Sequence, residues 1–281
     1  MITSSLKYID LHIHSTHSDG SFDPIKIVRR AAERKLTAIA ITDHDQVSAF
    51  FEAQSVQDQY GVEVIPGIEL STILDGYEIH LLGYLFDPND PEIQQYVKIQ
   101  KVYREKRAKA IVKRLAKLGI RVPFALVKAK SLNGNYGRPH IADVLVEEGH
   151  VFSFAEAFQK YLGDEKPAFV PKLNIHPQHA IKIVKDAGGV TCVAHPAINI
   201  SDDLIARLVD LGLDGIEVYH PRHTSSQVKH FSDLAQQFGV LKSGGSDCHG
   251  IYDDGGMIGR FPVPLEYLEE MKIRAKNKSC T

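Results

Sequence analysis

Tyr8-Ile9-Asp10-Leu11-His12-Ile13-His14 alternates apolar and polar side chains with period two and reads as a β-strand. On such a strand His12 and His14 project from the same face. Downstream, Asp23-Pro24 signals a helix start, and Ile27, Val28, Ala31 and Ala32 continue it on one apolar face. Thr37–Thr42 reads as a buried strand, and a helix is expected from about Gln46. Val62–Ile65 is predicted to be a strand closed by Pro66-Gly67. Ile68–Thr72 and Tyr77–Tyr84 flank Asp75-Gly76, a strong hairpin signal. From about Asp90 to Pro171 the pattern is mostly helical. Helices Pro177–Asp186, Asp202–Leu211 and Ser225–Phe238 then alternate with strands Val190–Ala194, Asp214–Tyr219 and Val240–Gly245. This alternation implies a parallel α/β body, residues 1–90 and 171–281, interrupted by a helical insertion at 91–170. No Gly-x-Gly-x-x-Gly follows the first strand, which favours a barrel over an open dinucleotide-binding sheet.

The 281 residues are 43% apolar and 24% charged, ordinary for a globular protein and unlike collagen-like, coiled-coil or disordered chains. No apolar run approaches the ~18 residues of a membrane span, so no membrane association is expected. Met1–His14 carries no long apolar segment and no small-residue cleavage site, so no secretory signal is read there. The three cysteines, Cys192, Cys248 and Cys280, suit a reducing cytoplasm rather than a disulfide framework. The formal net charge of −2 conceals an asymmetry. Lys98–Arg138 holds 13 Lys and Arg and one acid, Glu105, a local +12 beside −14 in the remainder. A basic insertion on an acidic body suggests a polyanionic ligand, but taken alone a solvated helix face is the better account of the charge.

Histidine is the abnormal residue, at 14. His12, His14, Asp19, His44, Glu69, His80, His195, Asp247 and His249 all fall at or just after predicted strand ends or in the hairpin. Singly, each is explained by turn chemistry or by a satisfied core histidine. Together, nitrogen and oxygen donors gathered at the rim where barrel enzymes keep their active sites point to a polynuclear metal centre. Imidazoles and carboxylates without a thiolate suit Mn²⁺, Fe²⁺ or Zn²⁺ and disfavour Ca²⁺ or iron–sulfur clusters.

These residues resemble the PHP (polymerase and histidinol phosphatase) family. The resemblance rests on Asp10-Leu11-His12-Ile13-His14-Ser15 with Ser18-Asp19-Gly20, Thr42-Asp43-His44-Asp45, Pro66-Gly67-Ile68-Glu69, Ala194-His195-Pro196 and Gly245-Ser246-Asp247-Cys248-His249. It implies a distorted (β/α)7 barrel with three divalent ions at its rim and the insertion lying over the active site. His12, His14, Glu69 and Asp247 would hold the first ion. Asp19, His44 and His249 would hold the second, with Asp19 standing where some members have histidine. Glu69 would bridge to a third beside His80 and His195. Within the family the chain looks most like the branch that hydrolyses nucleoside 3′,5′-bisphosphates and trims short RNA from the 5′ end. The supporting segments are Arg138-Pro139-His140-Ile141-Ala142 and Glu217–His223. The resemblance therefore implies a phosphoester hydrolase acting through a hydroxide that bridges two ions. Arg138, His140, His17 and His223 are the expected phosphate contacts, with His223 a candidate proton donor to the leaving group. The competing readings are a small-metabolite phosphatase of the histidinol phosphate type and a catalytically silent module. No obligate protein partner is indicated.

Overall fold

The computed structural model describes residues 7–131, 133–250 and 257–278; Cys280 lies outside them. Eight strands form one sheet: β1 (Tyr8–Ile13), β2 (Ala38–Ile41), β3 (Glu63–Leu74), β4 (Tyr77–Tyr84), β5 (Val190–Val193), β6 (Gly215–Tyr219), β7 (Leu241–Gly244) and β8 (Val263–Pro264). Their order is β7-β6-β5-β4-β3-β2-β1-β8. The two-residue β8 pairs antiparallel with the start of β1. The end of β1 pairs instead with the segment after β7: Asp247 N donates to His12 O at 2.7 Å and His14 N to Cys248 O at 2.9 Å. These bonds nearly close the sheet into a barrel, adding β8 to the seven expected strands. They also fix Asp247 beside His12 and His14.

The β1–β2–β3 and β5–β6–β7 ladders are parallel, whereas β4 runs against both neighbours. Pro66-Gly67 does not end a strand as its turn chemistry predicts. It lies inside the 12-residue β3, where the strand changes partner. Residues 63–66 pair with β2, and 67–74 pair with β4. A missing proline N–H is tolerated where one ladder hands over to another. Gly67 is required for packing, since a Cβ there would lie 2.9 Å from Ile41 O. β3 thereby joins the predicted strands Val62–Ile65 and Ile68–Thr72 into one, with Glu69 on it.

The short helices on the first half are α1 (Pro24–Glu33), α2 (Ser48–Gln54) and α3 (Gln57–Tyr60). Asp23 caps α1, accepting from Lys26 N at 2.8 Å, and Ile27, Val28 and Ala31 are buried beneath it. After β4 the chain enters α4 (Pro91–Lys117), capped by Asp90 and ~40 Å long at 1.5 Å per residue. Its first turns, with Ile93, Tyr96 and Val97, pack into the barrel's apolar cluster. Its later turns, with Ala108, Ile111 and Leu115, join a separate cluster. That cluster also contains Val127 of α5 (Phe124–Lys130), Ile141 and Leu145 of α6 (Arg138–Glu147) and Ala157 of α7 (Phe154–Ala157). α8 (Pro177–Asp186), α9 (Asp202–Asp210), α10 (Ser225–Phe238) and α11 (Leu265–Lys278) complete the fold.

Arg104 links α4 to the barrel. Its guanidinium makes two bonds to Asp45 Oδ2, one from Nε at 3.0 Å and one from Nη2. Tyr96 OH and Ser71 N donate to the other Asp45 oxygen at 2.6 and 2.8 Å. Burial would raise the Asp45 pKa, but Arg104 and these donors hold it down at about 2. Breaking such a fully bonded buried pair costs ~3–5 kcal/mol, because one charge is then left uncompensated. Among the described residues no helix is long and apolar enough to cross a membrane.

Candidate metal centre

All nine residues expected as metal ligands lie together at one end of the barrel. Glu69 is at their centre. Its Oε1 faces His80 Nδ1 at 2.8 Å and His195 Nε2 at 3.1 Å. Its Oε2 faces His44 Nδ1 at 2.9 Å, His14 Nε2 at 3.2 Å and His12 Nε2 at 3.7 Å. Asp247 Oδ1 meets His12 Nε2 and His14 Nε2 at 3.4 and 3.2 Å. Asp19 is the second convergence point. His44 Nε2 lies 3.6 Å from its Oδ2, and His249 Nε2 and His14 Nδ1 lie 3.5 and 3.6 Å from its Oδ1. The loop carrying Asp19 is held by Asp43, which accepts from Ser15 N, Ser15 Oγ and Ser18 Oγ. Asp43 is thus scaffold, although it stands next to a candidate ligand, His44, in sequence.

Three non-glycine residues in or beside this site have left-handed backbone: His195 (φ 31°), Asp247 (φ 48°) and Asp45 (φ 51°). Gly245 precedes Asp247 with no room for a side chain, since a Cβ there would lie 2.3 Å from His12 N.

The donor set fits divalent cations. Among the described residues, Asp19 Oδ1, His44 Nδ1, Glu69 Oε2, His80 Nδ1 and His195 Nδ1 are buried without a hydrogen-bond partner. Buried polar atoms are normally paired. Four of these five meet an opposite member of the site closely without alignment for a hydrogen bond, an arrangement suited to sharing an ion. Burial opposes charge on every group here. Neighbouring imidazoles nevertheless hold Asp19, Glu69 and Asp247 well below the ordinary carboxylate range, so all three are anionic. His14 is raised to about 10, since Asp247 and Glu69 outweigh its burial, whereas burial prevails at His44 and lowers it. Among the described residues, four groups, each drawing its atoms within 4.8 Å of one another, could hold an ion: His14-Asp19-His44-His249, His12-His14-Glu69, His44-Glu69-His80 and His12-His220-Asp247.

Supporting residues surround them. Glu217, wholly buried in β6, accepts from His12 Nδ1 at 2.9 Å and from His195 N at 2.6 Å. It therefore sets the ring orientation of one candidate ligand and the backbone of another, a common arrangement around metal-bound histidines. Glu78 Oε1 lies 2.9 Å from His80 Nε2 and pairs with Lys172. His220 Nε2 lies 3.2 Å from Asp247 Oδ2. Glu217 and His220 were legible only as part of the Glu217–His223 segment, without their partners, and Lys172 was not legible at all, because those partners lie far away along the chain.

A cavity of about 290 Å³ opens beside the cluster, bounded by His44, Glu69, His80, His195, Asp247 and His249. Arg138 and Arg222 also line it. The other expected phosphate contacts do not. His17 turns to α2, with Nδ1 2.6 Å from Ser48 Oγ and Nε2 3.2 Å from Glu52 Oε2. His223 is buried behind His220, its Nδ1 donating to Val218 O at 2.8 Å. His140 is buried and accepts from Gly137 N at 2.9 Å, stabilising the start of α6.

Fold and site together define a metal-dependent hydrolase of phosphoesters, and comparison with known proteins bears this out. The PHP domain model matches residues 10–163, and the chain belongs to the PHP family. It is 37% identical over 249 residues to a 5′-3′ exoribonuclease of Haemophilus influenzae, covering 86% of this chain and 90% of that protein. It is 31% identical over 257 residues to a 3′,5′-nucleoside bisphosphate phosphatase of Chromobacterium violaceum, covering 89% and 90%. A crystal structure from Bifidobacterium adolescentis, described as a metal-dependent phosphoesterase, superposes with a TM-score of 0.87 at 28% identity over 95% of this chain and 96% of that one.

Proposed function

We propose that this chain removes the 3′-phosphate of nucleoside 3′,5′-bisphosphates, adenosine 3′,5′-bisphosphate among them, and trims short RNA from its 5′ end. The observation that carries this reading is Glu69, whose two oxygens face separate sets of imidazoles beside a cavity that Arg138 also lines. Such a carboxylate suits adjacent ions, and the arginine suits a phosphate that is not attacked. The activities named for the H. influenzae and C. violaceum relatives agree with it.

Three ions are proposed, Mn²⁺, Fe²⁺ or Zn²⁺. His12, His14, Glu69 and Asp247 would hold one, Asp19, His44 and His249 a second, and Glu69, His80 and His195 a third. When bound, such ions lower the pKa of water and neutralise phosphoryl oxygens. The chain's own residues supply orientation. Glu217 fixes the His12 ring, and Glu78 fixes His80 from the side away from Glu69. Arg138 offers a planar fork for a second phosphate. Arg222, on the same cavity, is proposed as an additional cation for the leaving nucleotide.

The test is phosphate release by the Mn²⁺-loaded protein from adenosine 3′,5′-bisphosphate, its 2′,5′ isomer, histidinol phosphate and a 5′-phosphorylated RNA oligomer. Selective release from the 3′,5′-bisphosphate, leaving the 5′-monophosphate, is expected, with stepwise mononucleotide release from RNA. Turnover of histidinol phosphate alone would replace this reading with a small-metabolite phosphatase. No turnover by the fully loaded protein would mark a silent module.

A further inference from the structure

Arg138 does not wait empty-handed at the cavity wall. Its Nη1 donates to Asp164 Oδ1 at 2.6 Å and to Leu162 O at 3.2 Å. The guanidinium carbon lies 5.7 Å from the ring centres of both Phe158 and Phe169, which restrict its movement. The two partners differ in setting: the Arg138 side chain is 16% exposed and that of Asp164 is 71% exposed. Both line the cavity, together with Glu78 and His80. A held cation is thus paired with a solvated carboxylate that is free to leave.

A second guanidinium reaches the same stretch of chain. Arg107 Nε donates to Val170 O at 2.7 Å, one residue beyond Phe169, while Arg107 Nη2 is buried with no hydrogen-bond partner. Buried donors without acceptors are costly. Burial, with Arg138 and Arg104 nearby, pushes the Arg107 pKa down to about 10, although Glu78 and Asp164 act against the shift.

We propose that Asp164 is a placeholder for the substrate's second phosphate, setting the charge an anion must carry to occupy Arg138. The proposal rests on the reading that Arg138 receives a phosphate. An exposed ion pair contributes little, so Asp164 is readily displaced. A terminal phosphate brings close to two negative charges and three acceptor oxygens. It can take both arms of the Arg138 fork. An internal phosphodiester brings one charge, no more than Asp164 itself supplies. The placeholder thereby favours a terminal phosphate over an internal one.

The experiment measures kcat/KM for adenosine 3′,5′-bisphosphate and for adenosine 3′-monophosphate, which lacks the second phosphate. It uses wild type, Asp164→Asn, Arg138→Ala and the double variant, all loaded with Mn²⁺. Removing the competitor should raise the bisphosphate-to-monophosphate ratio roughly two- to fivefold, through KM, the range an exposed pair supports. That rise should vanish in the Arg138→Ala background. An unchanged ratio in Asp164→Asn, or the same rise without Arg138, would overturn the proposal. A wild-type ratio that Arg138→Ala leaves intact would overturn the underlying reading of Arg138 instead, and the placeholder with it.

Discussion

Glu217→Gln is the most informative single change at this centre. The wild-type carboxylate accepts twice, from His12 Nδ1 at 2.9 Å and from His195 N at 2.6 Å, and it is wholly buried. Although burial opposes it, His12 keeps the Glu217 pKa below the ordinary range, so both oxygens act as acceptors. Glutamine has nearly the same shape but only one acceptor. Whichever way the amide is turned, one buried N–H then faces an NH₂ group. A buried donor left unpaired costs ~1–3 kcal/mol. At 1.4 kcal/mol per factor of ten, this weakens metal binding by roughly 5- to 150-fold. Loss of comparable outer partners in other metal sites costs ~10–100-fold. The assay is competition for Mn²⁺ against a chelator of known affinity, with far-ultraviolet circular dichroism as the check on folding. A folded Glu217→Gln variant whose Mn²⁺ affinity lies within about twofold of wild type would refute the reasoning.

Asp45 titrates from an ordinary 3.8 when unfolded to about 2 when folded, so it contributes ~2 kcal/mol of stability above pH ~4, lost as pH falls through ~2. Denaturant midpoints of wild type and Asp45→Asn should therefore converge between pH 5 and pH 2; a constant gap would exclude this linkage. Gly245→Ala would push a methyl group to 2.3 Å from His12 N and should destabilise the fold by ~3 kcal/mol while lowering metal content, as read by urea unfolding and elemental analysis. Stripping with chelator should lower the melting temperature, and Mn²⁺ should restore it progressively, reaching ~2.7 kcal/mol of stabilisation at 100 times its dissociation constant. A melting temperature indifferent to both treatments would count against any resident ion.

The parts legible in the sequence are those encoded locally. Period-two alternation located β1, and with it the shared face of His12 and His14. Helices Ser225–Phe238 and Pro177–Asp186 run as read from the alternation of helices and strands. Pro66-Gly67 misled, because a proline's effect depends on which neighbour its missing N–H would have faced, and that is a property of the sheet. His17 and His223 misled for a related reason. Nearness along the chain to a ligand does not fix where a ring points, and Ser48 and Val218 decide it here. Glu217 was invisible as a partner of His12, 205 residues away. Asp164 likewise carried no signal until the fold placed its carboxylate on Arg138.

The left-handed backbone at His195 and Asp247 has a consequence for how this protein can change. Both residue types enter that region more often than most, but φ 31° at His195 lies short of its usual range of about 50–70° and is strained. Glycine at position 195 would relieve the strain and remove an imidazole in the same step. Selection for robustness alone would drift toward that exchange, while the ion-holding role proposed for His195 opposes it. The centre is thus a place where a hardier protein and a working one diverge at a single codon.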